Sequence, residues 1–145
     1  MRRAFGFAFF STLLAVIGMA PTGCGPAAKP TVNVKGTVTF KGKPVPAGFI
    51  NFMPDVLTGE GAIKGFEIVD GVYDTSKGSN PGVTPGPTKI MISGFDGKKV
   101  NQWPKGKQIF NPIELKETVA AGTKDYVVPE SAGQNVRIVP TADPD

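Results

Sequence analysis

The residue types that most enzymes use for catalysis are nearly absent from this chain of 145 residues, which has no histidine and one cysteine, Cys24. Histidine is the commonest general base near neutral pH and the commonest zinc ligand. A Ser-His-Asp or Cys-His arrangement therefore cannot form, and no Ser-x-x-Lys pair is present to replace it. The sequence predicts no catalytic site, and Cys24 is left as the residue with the most specific chemistry.

Carboxylates are the remaining residues that could support acid–base chemistry. Four of them lie close together in the sequence: Glu60, Glu67, Asp70 and Asp74. We expect these residues to form turns and solvated strand faces, because aspartate favours turns and charged side chains remain in water. Two further groupings, Asp55 with Glu60 and Asp143 with Asp145, match no calcium-binding loop. We therefore predict no metal and no cofactor, and a hydrolase that acts through carboxylates alone is the least favoured alternative.

The segment from Asp96 to Pro112 is predicted to be a long loop that carries one aromatic residue and several cations. These residues are Trp103, Lys98, Lys99, Lys105 and Lys107. Lysines beside an exposed aromatic ring could hold an anionic polysaccharide, a lipid head group or a partner protein. In the alternative, which the sequence favours, Trp103 folds back over an open end of the domain while the lysines stay hydrated.

The first residues of the chain have the anatomy of an export signal. Arg2 and Arg3 give a short positive start, and an apolar run follows from Ala4 to Ile17. A membrane-spanning helix needs about 20 apolar residues, so this run is too short to remain as an anchor. The sequence predicts that the protein leaves the cytoplasm.

The segment 20–25 (APTGCG) resembles a lipobox, the cleavage motif of bacterial lipoproteins, with Pro21 where that family usually has an aliphatic residue. In that family the cysteine thiol receives a diacylglycerol, and a peptidase cuts just before it. The resemblance implies that residues 1–23 are a removed signal peptide and that Cys24 becomes an acylated first residue. The residues alone leave an alternative, in which an ordinary signal-peptidase site leaves Cys24 as a free thiol.

The resemblance implies an anchor made of lipid rather than protein. Each buried methylene contributes about 0.8 kcal/mol of membrane affinity, so two or three acyl chains hold a protein without a transmembrane helix. Gly25, rather than an aspartate, follows the cysteine, and by resemblance to enteric lipoproteins this favours the outer membrane where a cell has two. Loss of residues 1–23 removes Arg2 and Arg3 and leaves 14 basic and 12 acidic residues. This small excess gives no basis for nucleic-acid binding, and none is predicted.

The rest of the chain has the pattern of short β-strands. Residues 24–31 predict a flexible tether, followed by one domain over 32–140 and a tail over 141–145. Apolar and polar residues alternate over 31–41, where Gly36 indicates a bulge or a close approach by another side chain.

The residues between the predicted strands have the composition of turns and loops. Asp70-Gly71 predicts a type I′ hairpin turn, and the Gly- and Pro-rich residues 76–87 predict irregular structure. The predicted strands cover residues 31–41, 48–53, 62–69, 88–93, 113–119, 124–128 and 135–139. Because no helical period appears, the sequence predicts an all-β domain built as a single sandwich.

Four segments resemble the motifs of carboxypeptidase regulatory-like and transthyretin-like domains: 34–38 (VKGTV), 41–52 (KGKPVPAGFINF), 70–73 (DGVY) and 85–90 (PGPTKI). The resemblance implies an immunoglobulin-like or prealbumin-like sandwich of about seven strands, as in many small bacterial envelope lipoproteins, and it implies no reaction. We therefore expect a non-enzymatic, membrane-tethered envelope lipoprotein that acts as a structural or interaction module. The alternative is a binding module for an anionic glycan or an envelope partner through the basic loop around Trp103.

Overall fold

The computed structural model describes residues 30–55, 61–100 and 103–136. Within them, nine strands account for most of the regular structure, and the only helical segment is one 3₁₀ turn, Glu130–Gly133. The predicted all-β class is confirmed. The strands are β1 (Val34–Phe40), β2 (Lys43–Pro44), β3 (Ala47–Pro54), β4 (Lys64–Val69), β5 (Val72–Asp74), β6 (Gly86–Phe95), β7 (Gln108–Val119), β8 (Gly122–Thr123) and β9 (Tyr126–Val128).

The strands form one curled sheet with the hydrogen-bonded order β2-β1-β5-β4-β3-β6-β7, and every pair on this path is antiparallel. The last two strands return to β1 and pair with it in parallel, with Val34 opposite Gly122 and Val38 opposite Tyr126. Both edges of β1 are therefore hydrogen-bonded, and β1 connects the C-terminal strands to the rest of the sheet.

One face of the curled sheet carries the hydrophobic core, because apolar and polar residues alternate along the strands. In β1, Val34 and Val38 are buried while Lys35 and Thr37 are exposed. The other strands add apolar residues that face the same side of the sheet, so that residues far apart in the chain form a single core. The buried apolar residues are Val34, Val38, Val45, Ile50, Phe52, Phe66, Ile68, Tyr73, Val83, Ile90, Ile92, Phe110, Val119, Tyr126 and Val128.

Two tight turns depend on residues in the left-handed region. Asp70 (φ 48°) and Gly71 (φ 77°) join β4 to β5, which confirms the predicted hairpin, since a type I′ turn needs positive φ at both central residues. Lys41 (φ 51°) and Gly42 (φ 71°) join β1 to β2 in the same way. The two turns reverse the chain with no additional loop residues.

The close approach predicted at Gly36 is present, but the neighbour is main chain rather than a side chain. A Cβ at this position would overlap the carbonyl group of Lys124. The segment between β8 and β9 can therefore lie directly against β1, where the Lys124 amide donates a hydrogen bond to the Lys35 carbonyl (2.8 Å). Gly36 is thus required for the parallel pairing of the C-terminal strands.

Two predicted boundaries are wrong because strand pairing overrides local turn chemistry. The loop predicted over 96–112 ends at residue 107, since Gln108 begins β7 opposite Phe95. The irregular segment predicted over 76–87 ends at residue 85, since Gly86 and the following proline begin β6 opposite the end of β7.

The strand predicted over 135–139 falls mostly outside the residues that the structure describes. Its first two residues, Asn135 and Val136, lie outside the assigned strands. Asn135 has a φ of 52°, which is unusual for an extended strand. Residues 137–139 are not described.

Candidate functional site

The described residues between β6 and β7, 96–100 and 103–107, extend that β-hairpin, and we call them the basic hairpin. The Asp96 amide donates to the Lys107 carbonyl (2.9 Å), so the hydrogen-bonded ladder continues beyond the strands. Nearer the tip, Val100 and Trp103 exchange two backbone hydrogen bonds of 3.3 and 2.8 Å. The lysines of this segment are therefore displayed on a defined backbone.

The carboxylate of Asp96 organises the base of the basic hairpin. Its Oδ1 accepts hydrogen bonds from the backbone amides of Lys98 and Lys107, both at 3.0 Å. Gly106, at φ 84°, packs so closely that a Cβ would overlap the same oxygen. Because this oxygen is used by the main chain, Asp96 acts as an internal acceptor that orders the hairpin.

The four predicted lysines divide into three exposed residues and one that is anchored. Lys98, Lys99 and Lys107 are exposed. The side chain of Lys105 is 24% exposed, and its Nζ lies 3.0 Å from Oε1 of Glu67 and 4.6 Å from the ring centroid of Phe49. This ion pair and cation–π contact fasten the hairpin to β3 and β4, so Lys105 is less available to a ligand than the other three.

Trp103 lies between the two arrangements that the sequence left open. Its side chain is half-buried, and it does not belong to the buried core. Its backbone pairs with Val100 near the tip of the basic hairpin. Trp103 is therefore partly exposed on the same segment as the exposed lysines, where it could contact a ligand.

The acidic residues around the hairpin at Asp70-Gly71 have separate structural roles and do not converge on one site. Glu67 pairs with the anchored lysine, and Asp70 occupies a turn. Asp74 accepts hydrogen bonds from the hydroxyl (2.6 Å) and the amide (2.9 Å) of Ser76, which hold the pKa of this carboxyl below its ordinary value. Within the described ranges, no group of three or more His, Cys, Asp or Glu residues could hold a metal ion. Outside those ranges lie Glu60, Asp143 and Asp145.

A pair of buried tyrosines, absent from the residues that the sequence marks as site candidates, lies away from the basic hairpin. Tyr73 and Tyr126 have ring centroids 6.0 Å apart, and their side chains are 1% and 5% exposed. The Tyr73 hydroxyl donates to the Lys124 carbonyl (2.7 Å). Burial raises the pKa of both hydroxyls above the ordinary value, so they remain protonated donors at physiological pH. The two residues meet only through strand pairing, which leaves no local signal in the sequence.

Two shallow cavities open on the described surface. The smaller, of about 210 Å³, lies beside Tyr126, where Glu117 and Lys124 form an ion pair (3.2 Å). The larger, of about 480 Å³, lies between β4 and β5, whose only paired residues are Val69 and Val72. The basic hairpin contributes to the lining of neither cavity.

The basic hairpin and the start of the domain lie at opposite ends of the sheet. Val32 pairs with Val83 just before β6 begins, so the described N-terminus enters at that end. β6 then runs for 10 residues to Phe95, where the basic hairpin starts. At a rise of about 3.3 Å per residue, the two ends are separated by about 30 Å.

Cys24 and the predicted signal peptide, residues 1–23, lie outside the described residues. In the part of the chain that is described, no helix has the length and apolar character needed to span a membrane. Comparison with known proteins gives no relative for this chain: no protein family, no curated protein and no solved structure matches it.

Proposed function

We propose that this chain is an exported lipoprotein, tethered to a membrane of the cell envelope through acylated Cys24, whose β-domain acts as a non-enzymatic interaction module. The signal-like start and the lipobox-like residues 20–25 support the tether. The observation that carries the interaction role is the placement of the ordered basic hairpin at the end of the sheet opposite to residue 32.

This placement has a direct electrostatic consequence for a tethered domain. The predicted tether, residues 24–31, spans at most about 28 Å when extended, and the sheet adds about 30 Å. Electrostatic interactions at physiological salt decay over about 8 Å. When the sheet extends away from the membrane, the exposed lysines lie several times farther from the membrane surface than the distance over which its electrostatic potential decays. A partner elsewhere in the envelope can then reach them.

We also propose a fold family for the domain. The curled sheet is a variant of an immunoglobulin-like or prealbumin-like sandwich, related to carboxypeptidase regulatory-like domains. Two observations support this assignment. The motif-like residues 34–38 and 41–52 supply β1 and β3, and 70–73 supply the turn that enters β5. When the two-residue strands β2 and β8 are set aside, seven strands remain among the described residues.

The tether is tested by metabolic labelling with a radioactive fatty acid in the native host. The wild type should be labelled and should fractionate with membranes, whereas Cys24→Ser should lose the label and be released in soluble form. Thr22→Ser is a matched control, because it changes a neighbouring hydroxyl residue and leaves the thiol in place. Labelling of Cys24→Ser equal to that of wild type, or no label on wild type, contradicts the tether.

A second candidate function is a binding module for an anionic glycan or envelope partner, with the basic hairpin as the contact surface. It is favoured by the ordered backbone, which displays three exposed lysines beside a partly exposed indole. Trp103→Ala should lower the affinity for such a ligand by about tenfold, which corresponds to about 1.4 kcal/mol, with little change in the free energy of unfolding. A large loss of stability with unchanged binding would show that Trp103 only anchors the hairpin.

A further inference from the structure

A second pair of lysines lies beside the basic hairpin, although it is distant in sequence. Lys41 and Lys43 flank Gly42 in the turn between β1 and β2, and both are exposed. We call the segment 41–43 the β1–β2 turn. Because β1 runs away from the end where the tether enters, this turn lies at the same end of the sheet as the basic hairpin.

Packing contacts join the two segments at their bases. The rings of Phe40 and Phe110 have centroids 5.1 Å apart, which places the end of β1 against the start of β7. A Cβ at Gly97 would lie 3.2 Å from Cβ of Pro46, the residue that leads from β2 into β3. The β1–β2 turn and the basic hairpin therefore border one continuous surface.

This surface has more exposed cations than available acids. Its exposed lysines are Lys41, Lys43, Lys98, Lys99 and Lys107. Among the nearby acids, Asp96 accepts from two backbone amides and Glu67 pairs with Lys105, whereas Asp70 and Glu130 are exposed.

The lysines elsewhere on the sheet are more often neutralised. The ion pairs Lys77–Asp74, Lys89–Glu114 and Lys124–Glu117 all lie away from the basic hairpin. At the end opposite to the tether, one lysine of six (Lys105) forms an ion pair with a described residue, against three of six on the rest of the described sheet.

The chemistry of the cations limits the kind of ligand. Every basic residue in the described ranges is lysine, since Arg2, Arg3 and Arg137 lie outside them. Lysine is a hydrated point charge, and it lacks the planar fork with which arginine binds one phosphate or carboxylate in a bidentate manner. Spaced lysines on an open surface suit many weak contacts along a polymer.

We propose that the β1–β2 turn and the basic hairpin form one composite surface that binds a linear carboxylated polysaccharide on the side of the domain away from its membrane. This inference rests on the second candidate function above and adds a second binding segment, Lys41 and Lys43, and a ligand class. Repeated carboxylates match the spaced lysines, and the exposed part of Trp103 offers an apolar face to a sugar ring. An open surface also suits a polymer better than a small anion, which an enclosed pocket would hold.

The composite surface is tested with the full-length protein, purified in detergent, against immobilised polygalacturonate. The test variant is Lys41→Asn with Lys43→Gln, because asparagine tolerates the positive φ at position 41. The matched control is Lys35→Gln with Lys116→Gln, which removes the same charge from exposed lysines on the body of the sheet. Each lysine that contacts the polymer should contribute about fivefold, so the test variant should bind about 25-fold more weakly than wild type.

The outcomes separate this inference from the proposals that precede it. Support requires wild-type binding that weakens as salt rises, the loss in the test variant, and near-wild-type binding of the control. Equal loss in both variants would show that net charge alone acts and would overturn the composite surface. Tighter binding to single-stranded DNA than to polygalacturonate, or no binding at low salt, would overturn the ligand class. Because binding is measured on purified protein, neither result depends on acylation of Cys24.

Discussion

Raising the pH should destabilise this protein through its two tyrosines. Tyr73 and Tyr126 are the only tyrosines of the chain, and both are buried. Burial is the main cause that raises the pKa of each hydroxyl, and for Tyr126 the nearby Glu117 carboxylate adds to it. In the unfolded chain both titrate near pH 10. Because the folded pKa is higher, the stability of the neutral pair is complete below about pH 10 and is lost as the pH rises toward the folded pKa.

The magnitude follows from linkage. At about pH 11, ionisation favours each unfolded tyrosine by about 1 kcal/mol or slightly more, so two tyrosines that stay neutral in the folded state lower the free energy of unfolding by up to about 3 kcal/mol. Solvent screening reduces this loss of unfolding free energy only slightly, because Tyr73 and Tyr126 are only 1% and 5% exposed. A domain of this kind has a total stability of about 5–15 kcal/mol, so the loss is large enough to measure.

The assay compares urea unfolding at about pH 8 and about pH 11, together with a tyrosinate absorbance titration of the native protein. The control is the double variant Tyr73→Phe and Tyr126→Phe, which removes the two hydroxyls and keeps every other residue. The wild type should lose up to about 3 kcal/mol more than the double variant over this interval. Native tyrosines that titrate near pH 10, or equal losses in the two proteins, would refute the reasoning.

Three further predictions test the hairpin and the sheet. Asp96→Ala removes the acceptor of two backbone amides, so the free energy of local opening of the basic hairpin should fall by about 1–3 kcal/mol. Amide hydrogen exchange in the basic hairpin should therefore be faster than in wild type. Asp96→Asn is the control, because it keeps an acceptor oxygen. Equal exchange in both variants would contradict this role. Gly36→Ala should destabilise the domain to urea by about 1–3 kcal/mol, because the new methyl group meets the Lys124 carbonyl, and unchanged stability would argue against the parallel pairing. Glu67→Gln should change the unfolding free energy by less than about 1 kcal/mol, since its partner Lys105 is held at the surface; a larger loss would mean a buried pair.

Much of the fold could be predicted because it depends on neighbouring residues. The alternation of Val34, Val38 and the polar residues between them defines the buried face of β1 within a few positions. The hairpin at Asp70-Gly71 follows from the backbone preferences of two adjacent residues. The absence of any helical period then leaves the all-β class as the only consistent prediction.

The order of the basic hairpin could not be predicted from its own residues. Gly97, Pro104 and Gly106 favour a loop, and the sequence predicts that this loop extends to Pro112. β6 instead pairs with residues from Gln108 onward, and Asp96 bonds to amides on both arms of the hairpin. The stabilising partners lie on the opposite strand, where local turn preferences carry no information about them.

The candidate site shows the same division between local and long-range information. The lipobox-like segment around Cys24, the all-β class and the lysine-rich segment 96–107 can be read from the sequence, because each is a property of adjacent residues. The anchoring of Lys105 to Glu67, and the surface that Lys41 and Lys43 share with the basic hairpin, are visible only in the folded domain. Strand register and sheet order arise from burying one apolar face across the whole chain, so no local segment specifies them.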